Sequence, residues 1–134
     1  MGIEYRSGKD VTAEQVAGVF RESGIRRPVD DLERIARMID NADVIVTAWD
    51  GDYLAGIARA VTDFSYCCYL SDLAVDRAHQ NSGIGRELIA LVRNMLGDDV
   101  ALILLSAPNA MEYYPKVGFA KADNAFIIPR KRHV

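Results

Sequence analysis

The sequence predicts a single α/β domain over residues 1–134, three layers thick, with a mixed and mostly antiparallel sheet between helices. Strand-like alternation and helix-like periodicity succeed one another along the whole chain. The Asp50-Gly51 pair separates two strand-like runs, which is a hairpin signal. A glycine-containing polar turn joins a strand ending near Asp76 to an amphipathic helix, as in a right-handed parallel crossover.

The first half of the chain is predicted as one strand, two helices and two further strands. A short strand covers residues 3–6. Thr12 and Gln15 form a capping box that begins a helix ending near Gly24. Asp30 and Asp31 begin the second helix, whose apolar face carries Leu32, Ile35, Ala36 and Ile39. Strands follow at residues 43–49 and 53–62.

The second half begins with a strand at residues 66–76, followed by a helix at 83–96 that Gly97 ends. The predicted apolar face of this helix carries Ile84, Leu88, Leu91, Val92 and Met95. Residues 100–105 are continuously apolar, which is typical of a strand buried on both faces. A short helix begins at Pro108 or Asn109 and ends at Gly118, and residues 126–128 form a last strand.

Composition excludes several classes of protein. The chain carries a net charge of −3, and no apolar run reaches the length of a membrane span. Its N-terminus lacks the apolar region of a signal peptide. Cys67 and Cys68 are adjacent in a strand, point to opposite faces and are expected to be reduced, buried thiols. We therefore expect a cytoplasmic protein with no metal site and no membrane or nucleic-acid partner, the basic tail at residues 130–133 being a solvated end.

Charge is unevenly distributed along the chain. Residues 41–75 hold five aspartates and one arginine, a balance of −4, whereas residues 76–134 hold eight basic and six acidic residues, a balance of +2. An acidic stretch beside a more basic loop suits a cationic acceptor and an anionic cofactor. We prefer to explain these charges as ordinary solvated loop residues. The uneven charge therefore serves only as support for the other observations on function.

The turn between the strand ending near Asp76 and the following helix has the features of a phosphate site. Free backbone N–H groups lie at the positive end of the helix dipole, and Gly83 and Gly85 allow close approach of a ligand. The turn lacks both the P-loop pattern and Gly-x-Gly-x-x-Gly. The alternative is an ordinary tight strand-to-helix turn.

Two motifs then identify a family resemblance. Residues 80–85, Gln-Asn-Ser-Gly-Ile-Gly, resemble the acetyl-coenzyme A signature Gln/Arg-x-x-Gly-x-Gly/Ala of the GNAT superfamily of N-acetyltransferases. Residues 110–119 resemble its second hallmark, Ala-x-x-Phe/Tyr-Tyr-x-Lys-x-Gly-Phe, with Tyr113 where Phe is commoner and Pro115 where Glu is commoner. We expect Pro115 to loosen the last helical turn. The order of elements also resembles the family over the whole chain.

The resemblance implies that acetyl-CoA enters a splay in the sheet, between the strand at 66–76 and the strand at 100–105. Its pantetheine arm would pair with main-chain groups of Leu73 and Val75. Asn109 is expected to approach the cofactor, and the loop at 24–30 to shape the acceptor pocket. The pyrophosphate would lie on N–H groups of Gln80, Asn81, Ser82, Gly83, Ile84 and Gly85, with Arg86 beside them.

The resemblance also implies direct attack of an amine on the thioester, with Tyr114 as the general acid for the departing thiolate. The backbone N–H of Leu73 or Ala74 would stabilise the developing oxyanion. Asp72 is a candidate base or anchor for the acceptor ammonium, unless it is a surface or capping residue. It faces away from Leu73 unless a bulge shifts the register. His79 is expected beside phosphate or in solvent.

We therefore predict an acetyl-CoA-dependent N-acetyltransferase acting on a primary amine of a small molecule or on an exposed protein or peptide amine. The alternative is a catalytically silent acetyl-CoA-binding sensor or subunit. A third reading, a fold used only for protein contact, is disfavoured by the intact residues 80–85. Residues 126–128 are apolar and lie near the chain end, so a homodimer is also expected.

Overall fold

The computed structural model of the protein describes residues 2–132. The chain divides after Leu104 into two compact units, here called the N-terminal unit and the C-terminal unit. Each unit is described by itself. The helices and strands are β1 (Glu4–Ser7), α1 (Ala13–Ser23), α2 (Leu32–Asp40), β2 (Val44–Asp50), β3 (Tyr53–Thr62), β4 (Cys67–Val75), α3 (Ile84–Leu96), β5 (Ala101–Ile103) and, in the C-terminal unit, α4 (Tyr113–Lys116).

The N-terminal unit is built on a five-stranded sheet in the order β1-β2-β3-β4-β5. Neighbouring strands are antiparallel except for β4 and β5, which are parallel. The mixed, mostly antiparallel sheet predicted from sequence is confirmed. The first four strands begin and end within one residue of the prediction, because turn residues mark their ends.

Helices cover both faces of this sheet. On one face α1 and α2 pack on a cluster that includes Val16, Phe20, Ile35, Ile57 and Ala74. On the other face α3 lies against β3. A Cβ added at Gly56 would lie 3.0 Å from Ile84 and 3.3 Å from Leu88, so glycine permits the close approach of this helix.

The caps of α1 form as the sequence predicts. Thr12 Oγ1 accepts the Gln15 N–H at 3.0 Å, and Gln15 Oε1 accepts the Thr12 N–H at 3.0 Å. Gly24 ends the helix with φ of 81°, a left-handed conformation that glycine adopts without steric cost. The local sequence thereby determines where α1 ends and the following loop begins.

Two helix positions differ from the predicted apolar faces. Leu32 and Met95 are 42% and 44% exposed. Leu32 is the first residue of α2, directly after the N-cap Asp31, and the buried residues of this helix are Ile35 and Ile39. The buried residues of α3 recur every four positions, and Leu96 is buried where Met95 was predicted to be. They are Ile84, Leu88, Val92 and Leu96, with Ile89 beside them.

The predictions for the end of the sheet are wrong in two respects. β5 covers only residues 101–103, and Ile103 is half exposed, because β5 lies at the edge of the sheet and, among residues 2–132, pairs with β4 alone. Residues 126–128 form no strand in the part of the chain that the structure describes, and their side chains are exposed. An apolar run favours a strand but does not form one without a partner.

Other parts of the sequence prediction have clear outcomes. Cys68 is buried, which raises the pKa of its thiol, but Cys67 is exposed, so the prediction that both are buried is wrong for Cys67. Pro115 is the third of the four residues of α4, and the helix ends one residue later, so the expected loosening of the last turn stays a prediction. No helix between residues 2 and 132 combines the length and apolarity of a bilayer span. His133 lies outside the described residues.

Candidate active site

The sheet opens between β4 and β5. The two strands pair only from Cys67 to Tyr69 on β4 and from Ala101 to Ile103 on β5. β4 continues to Val75 beyond the last paired residue, still bonded to β3 on its other side. The edge of β4 at residues 70–75 is therefore not occupied by β5, which is the splay that the family resemblance implies.

Hydrogen bonding determines which main-chain groups face this edge. The Asp76 N–H donates to the Ala55 carbonyl at 2.8 Å, on the β3 side. Ala74 pairs with Ile57 in the same register, so by alternation its N–H and C=O also face β3. The main-chain groups of Leu73 and Val75 then face the open edge. Of the two N–H groups considered for the oxyanion, this geometry favours that of Leu73.

The segment after β4, residues 76–83 and here called the cofactor loop, is held by its own hydrogen bonds. Gln80 Nε2 donates to the Val75 carbonyl at 2.8 Å, and Ser82 Oγ donates to the His79 carbonyl at 2.5 Å. The Gln80 N–H donates to the Arg77 carbonyl at 3.4 Å, so the run of N–H groups open to a ligand begins after Gln80. Asn81 adopts a positive φ of 68°.

The cofactor loop ends at the N-terminus of α3. Gly83 is the N-cap with φ of 88° and offers no side chain to the first turn. The first intrahelical bond runs from the Glu87 N–H to the Gly83 carbonyl at 3.0 Å, so the N–H groups of Ile84 and Gly85 precede the helical ladder. A Cβ at Gly83 would meet no protein atom within 4 Å. The space beside Gly83 is open for an anionic group.

A polar cluster lies on the hairpin side of the cofactor loop. His79 Nε2 donates to Asp50 Oδ2 at 2.9 Å, and the Tyr53 hydroxyl donates to Asp76 Oδ2. This bond raises the pKa of Tyr53 to about 12 and, as the largest cause, lowers the pKa of Asp76. Only 21% of the His79 side chain is exposed. Of the two positions expected for His79, the one in solvent is therefore wrong, and the one beside phosphate stays a prediction.

Asp72 is completely buried in β4 and is bound by two arginines. Its Oδ1 accepts from Arg27 Nε at 2.5 Å, and its Oδ2 accepts from Arg59 Nε. Arg27 belongs to the loop between α1 and α2 and also donates to the Ser71 carbonyl at 2.7 Å. The surface or capping position considered for Asp72 is wrong. An acceptor ammonium would have to displace an arginine to bind this carboxylate.

A bulge in β4 accompanies this ion-pair network. Arg59 pairs with Asp72 and Ala60 pairs with Leu70, so Ser71 is the extra residue. Ser71 Oγ accepts from Arg59 Nη2 at 2.9 Å. Neither Arg27 nor Arg59 was predicted from the sequence as a site residue. Arg59 carried a usable signal, because a single charge within an apolar strand requires a buried partner.

Most acids of the negative stretch at residues 41–75 serve the fold. Asp43 accepts from the Thr62 N–H at 2.8 Å, and Asp63 accepts three N–H groups of the following turn. Asp50 and Asp72 bind His79 and the two arginines. Across residues 2–132 the structure groups no three His, Cys, Asp or Glu side chains as metal ligands. These charges therefore give little direct support to a cationic acceptor.

The remaining predicted site residues belong to the C-terminal unit. Asn109 lies in a 3₁₀ turn, Pro108–Ala110, and Tyr114 lies in α4. The Tyr114 ring makes edge contacts with Tyr113 and Phe119, with ring centroids 5.3 and 5.5 Å apart. The Tyr114 carbonyl accepts the Phe119 N–H at 3.1 Å. The motif at residues 110–119 is thus a compact local structure.

Comparison with known proteins places these features in a family. A family model described as an acetyltransferase (GNAT) domain matches residues 9–129. The chain is 35% identical over 140 aligned positions to the GCN5-related N-acetyltransferase 2, chloroplastic, of Arabidopsis thaliana, covering 87% of this chain. It covers 53% of that relative. The chain spans about half the length of the first curated relatives it matches.

Solved structures share the fold at lower identity. A GNAT-family acetyltransferase from Streptococcus pneumoniae superposes with a TM-score of 0.75 at 23% identity, covering 97% of this chain and all of that one. The aminoglycoside N-acetyltransferase AAC(6')-Iy, solved in complex with CoA, gives 0.74 at 16% identity, covering 98% and 96% of the two chains. At these identities the likeness concerns the fold.

Proposed function

Because the chain belongs to the GNAT family of acetyltransferases, we propose that it transfers an acetyl group from acetyl-CoA directly to a primary amine. The acceptor is a small molecule or an exposed protein or peptide amine. The observation that carries this proposal is the open edge of β4 at residues 70–75, followed directly by the cofactor loop and the N-terminus of α3. Together they offer a strand edge and an anion site to one elongated ligand.

Acetyl-CoA is the proposed co-substrate, and it supplies the activated thioester. Leu73 offers its main-chain N–H and C=O to the pantetheine arm by strand addition, and Val75 offers its N–H, since its carbonyl already accepts from Gln80 Nε2. The pyrophosphate is proposed to lie on the N–H groups between Asn81 and Gly85, with Arg86 from the first turn of α3 nearby. Asn109 is the further proposed contact, carried over from the family motif in the C-terminal unit.

Few protein groups are required for the transfer. The amine nitrogen bonds to the acetyl carbon, the carbon–sulfur bond breaks, and the amine loses a proton while the thiolate gains one. The Leu73 N–H is the proposed donor to the carbonyl oxygen as negative charge develops there. Tyr114 is the proposed general acid that protonates the thiolate. Cys67 and Cys68 need not act, because no covalent enzyme intermediate is formed.

Asp72 keeps its proposed place near the acceptor, but its contacts favour an indirect role. Both carboxylate oxygens already accept hydrogen bonds from Arg27 and Arg59. Arg27 connects β4 to the loop between α1 and α2, which the family resemblance assigns to the acceptor. Asp72 therefore fits a residue that positions the acceptor loop better than one that removes the proton from the amine.

Two further properties complete the proposal. Phe126 and Ile128 expose 99% and 97% of their surface, which supports a homodimer in which a second copy buries this segment. Light scattering that shows a monomer at micromolar concentration contradicts the dimer.

The cytoplasm remains the proposed compartment, although the Arabidopsis relative is named chloroplastic. Imaging of the tagged protein in its own cells tests this compartment.

A free-thiol assay tests the proposed function. Purified protein is incubated with acetyl-CoA and a panel of polyamines, amino acids, aminoglycosides and peptides with free N-termini. Release of CoA that depends on both protein and one class of acceptor supports an acetyltransferase. Calorimetric binding of acetyl-CoA without thiol release for any acceptor supports the alternative, a silent sensor or subunit. Failure to bind acetyl-CoA contradicts both.

A further inference from the structure

The β2–β3 hairpin contacts the cofactor loop through four side chains, here called the hairpin–loop cluster: Asp50, Tyr53, Asp76 and His79. His79 Nε2 donates to Asp50 Oδ2 at 2.9 Å, and the His79 ring stacks on Tyr53 with centroids 5.8 Å apart and planes 25° apart. The Tyr53 hydroxyl donates to Asp76. Hairpin residues thus hold both ends of the first turn of the loop, Arg77–His79.

The cluster determines the orientation of the His79 ring. His79 Nδ1 is buried and lies 3.9 Å from Asp76 Oδ1, beyond hydrogen-bond distance, and it has no hydrogen-bond partner among the described residues. Asp50 and Tyr53 therefore fix the ring, whereas Asp76 is occupied by the Tyr53 hydroxyl and by the Ala78 N–H at 2.7 Å. The closest side-chain contact of the imidazole, 2.9 Å from Nε2 to Asp50 Oδ2, therefore joins the cofactor loop to the hairpin.

The backbone of His79 extends this order along the cofactor loop. Its carbonyl accepts from Ser82 Oγ at 2.5 Å, and Ser82 directly precedes Gly83, the N-cap of α3. Asn81, which lies between His79 and Ser82, has a positive φ, which an isolated chain rarely populates. A fixed His79 therefore restricts the part of the loop that offers its N–H groups to the cofactor.

We propose that His79 is a positioning residue for the cofactor: Asp50 and Tyr53 hold its ring, and its carbonyl holds Ser82, so that the cofactor loop is preformed before acetyl-CoA binds. This inference rests on the proposed function. A preformed loop has less conformational entropy to lose on binding, so the cluster strengthens binding without touching the reacting atoms. It strengthens binding in the ground state and the transition state alike.

The test compares His79→Ala, Asp50→Asn and the double variant with the parent protein. Each single variant is expected to raise the Kd and KM for acetyl-CoA on the order of tenfold, the effect of losing one charge-assisted hydrogen bond, with kcat unchanged. The double variant is expected to resemble the single variants, because the two side chains act through one contact. His79→Gln, whose side-chain amide can still donate to Asp50, is expected to restore part of the affinity.

Asp52→Asn is the matched control, because it makes the same charge change in the same hairpin at an exposed residue outside the cluster. It is expected to leave Kd and KM unchanged. Amide hydrogen exchange of the ligand-free protein gives a second readout. Exchange at residues 80–85 is expected to be faster than in the parent protein in His79→Ala and unchanged in Asp52→Asn. A melting temperature for every variant confirms folding.

Three results overturn the inference. Unchanged Kd and unchanged exchange in His79→Ala exclude a positioning role. Additive effects of Asp50→Asn and His79→Ala show that the two residues act separately. A loss of kcat at unchanged KM places His79 in the chemistry instead. If the parent protein itself binds no acetyl-CoA, the proposed function and this inference both fail, whereas normal parent binding with unaffected variants removes the inference only.

Discussion

Arg27 and Asp72 are 45 residues apart in sequence, and Arg27 Nε lies 2.5 Å from Asp72 Oδ1. This contact connects the loop between α1 and α2 to the bulge of β4, at the start of the open strand edge. Arg59 binds the other carboxylate oxygen. The position of a loop that the family resemblance assigns to the acceptor thus depends on a buried carboxylate beside the proposed cofactor site.

Removing this carboxylate is expected to destabilise the protein. Asp72→Asn leaves the buried Arg59 and the partly buried Arg27 without their anion, so the free energy of unfolding should fall by about 3–5 kcal/mol. Urea denaturation measures the change, with Asp52→Asn as the exposed control. A variant of parental stability that binds acetyl-CoA normally and has lost turnover would instead support the direct catalytic role first considered for Asp72.

Glycine at position 83 is expected to matter both for conformation and for binding. Any side chain there must adopt φ near 88°, which costs on the order of 1–3 kcal/mol. Gly83→Glu also places a carboxylate in the space proposed for the pyrophosphate, so it should bind acetyl-CoA far more weakly in calorimetry. Gly97→Ala is the control, since Gly97 also has a positive φ and open space but ends α3. A folded Gly83→Glu variant of unchanged affinity would refute the phosphate-loop assignment.

The Tyr53–Asp76 hydrogen bond gives the stability a pH dependence at both extremes. The pKa of Tyr53 is raised from 10.0 to about 12, so its contribution is complete below pH 10 and is lost as pH rises toward 12. The pKa of Asp76 is lowered from 3.8, so its contribution holds above pH 3.8 and is lost as pH falls below it. The stability difference between the parent protein and Tyr53→Phe should therefore shrink above pH 10 and below pH 3.8. A difference that does not change with pH would show that the bond is absent in solution.

Tyr114 carries the most specific catalytic proposal. Tyr114→Phe keeps the ring and removes the proton donor, so turnover should fall by a factor on the order of 10²–10⁴ while acetyl-CoA affinity changes little. Tyr113→Phe removes a neighbouring hydroxyl and should have a mild effect. Steady-state rates with a good acceptor, combined with calorimetric affinities, provide the comparison. Parental turnover in Tyr114→Phe would mean that the thiolate departs without this residue.

The sequence predicted best those features that depend on neighbours along the chain. The Thr12–Gln15 capping box, the Asp50-Gly51 turn and the glycine caps of α1 and α3 each act within a few residues, and the structure confirms them. The turn at residues 80–85 also depends on a continuous stretch of sequence, and the structure confirms its place between β4 and α3, whereas its binding of acetyl-CoA stays a proposal. Its observed conformation, with Gly83 in the left-handed region, follows from the same residues.

Features that depend on distant partners were predicted poorly. Nothing in the local sequence pairs Arg27 with Asp72 or His79 with Asp50, because those contacts exist only after the sheet forms. The apolar runs at residues 100–105 and 126–128 show the same limitation, since burial of a strand depends on what covers it. The single short helix predicted from Pro108 or Asn109 to Gly118 is instead a 3₁₀ turn, Pro108–Ala110, followed by α4, Tyr113–Lys116. The roles of Asn109 and Tyr114 stay proposals.

The most direct measurement uses acetyl-CoA with an isotopically labelled acetyl group and the acceptor selected from the amine panel. Mass spectrometry of the acceptor and quantification of the free thiol are performed on the same samples. The account predicts labelled N-acetylated amine and free CoA in equal amounts, both depending on the protein and both strongly reduced in Tyr114→Phe. Tight binding of acetyl-CoA with no labelled amine from any acceptor would contradict catalysis and leave a cofactor-binding protein.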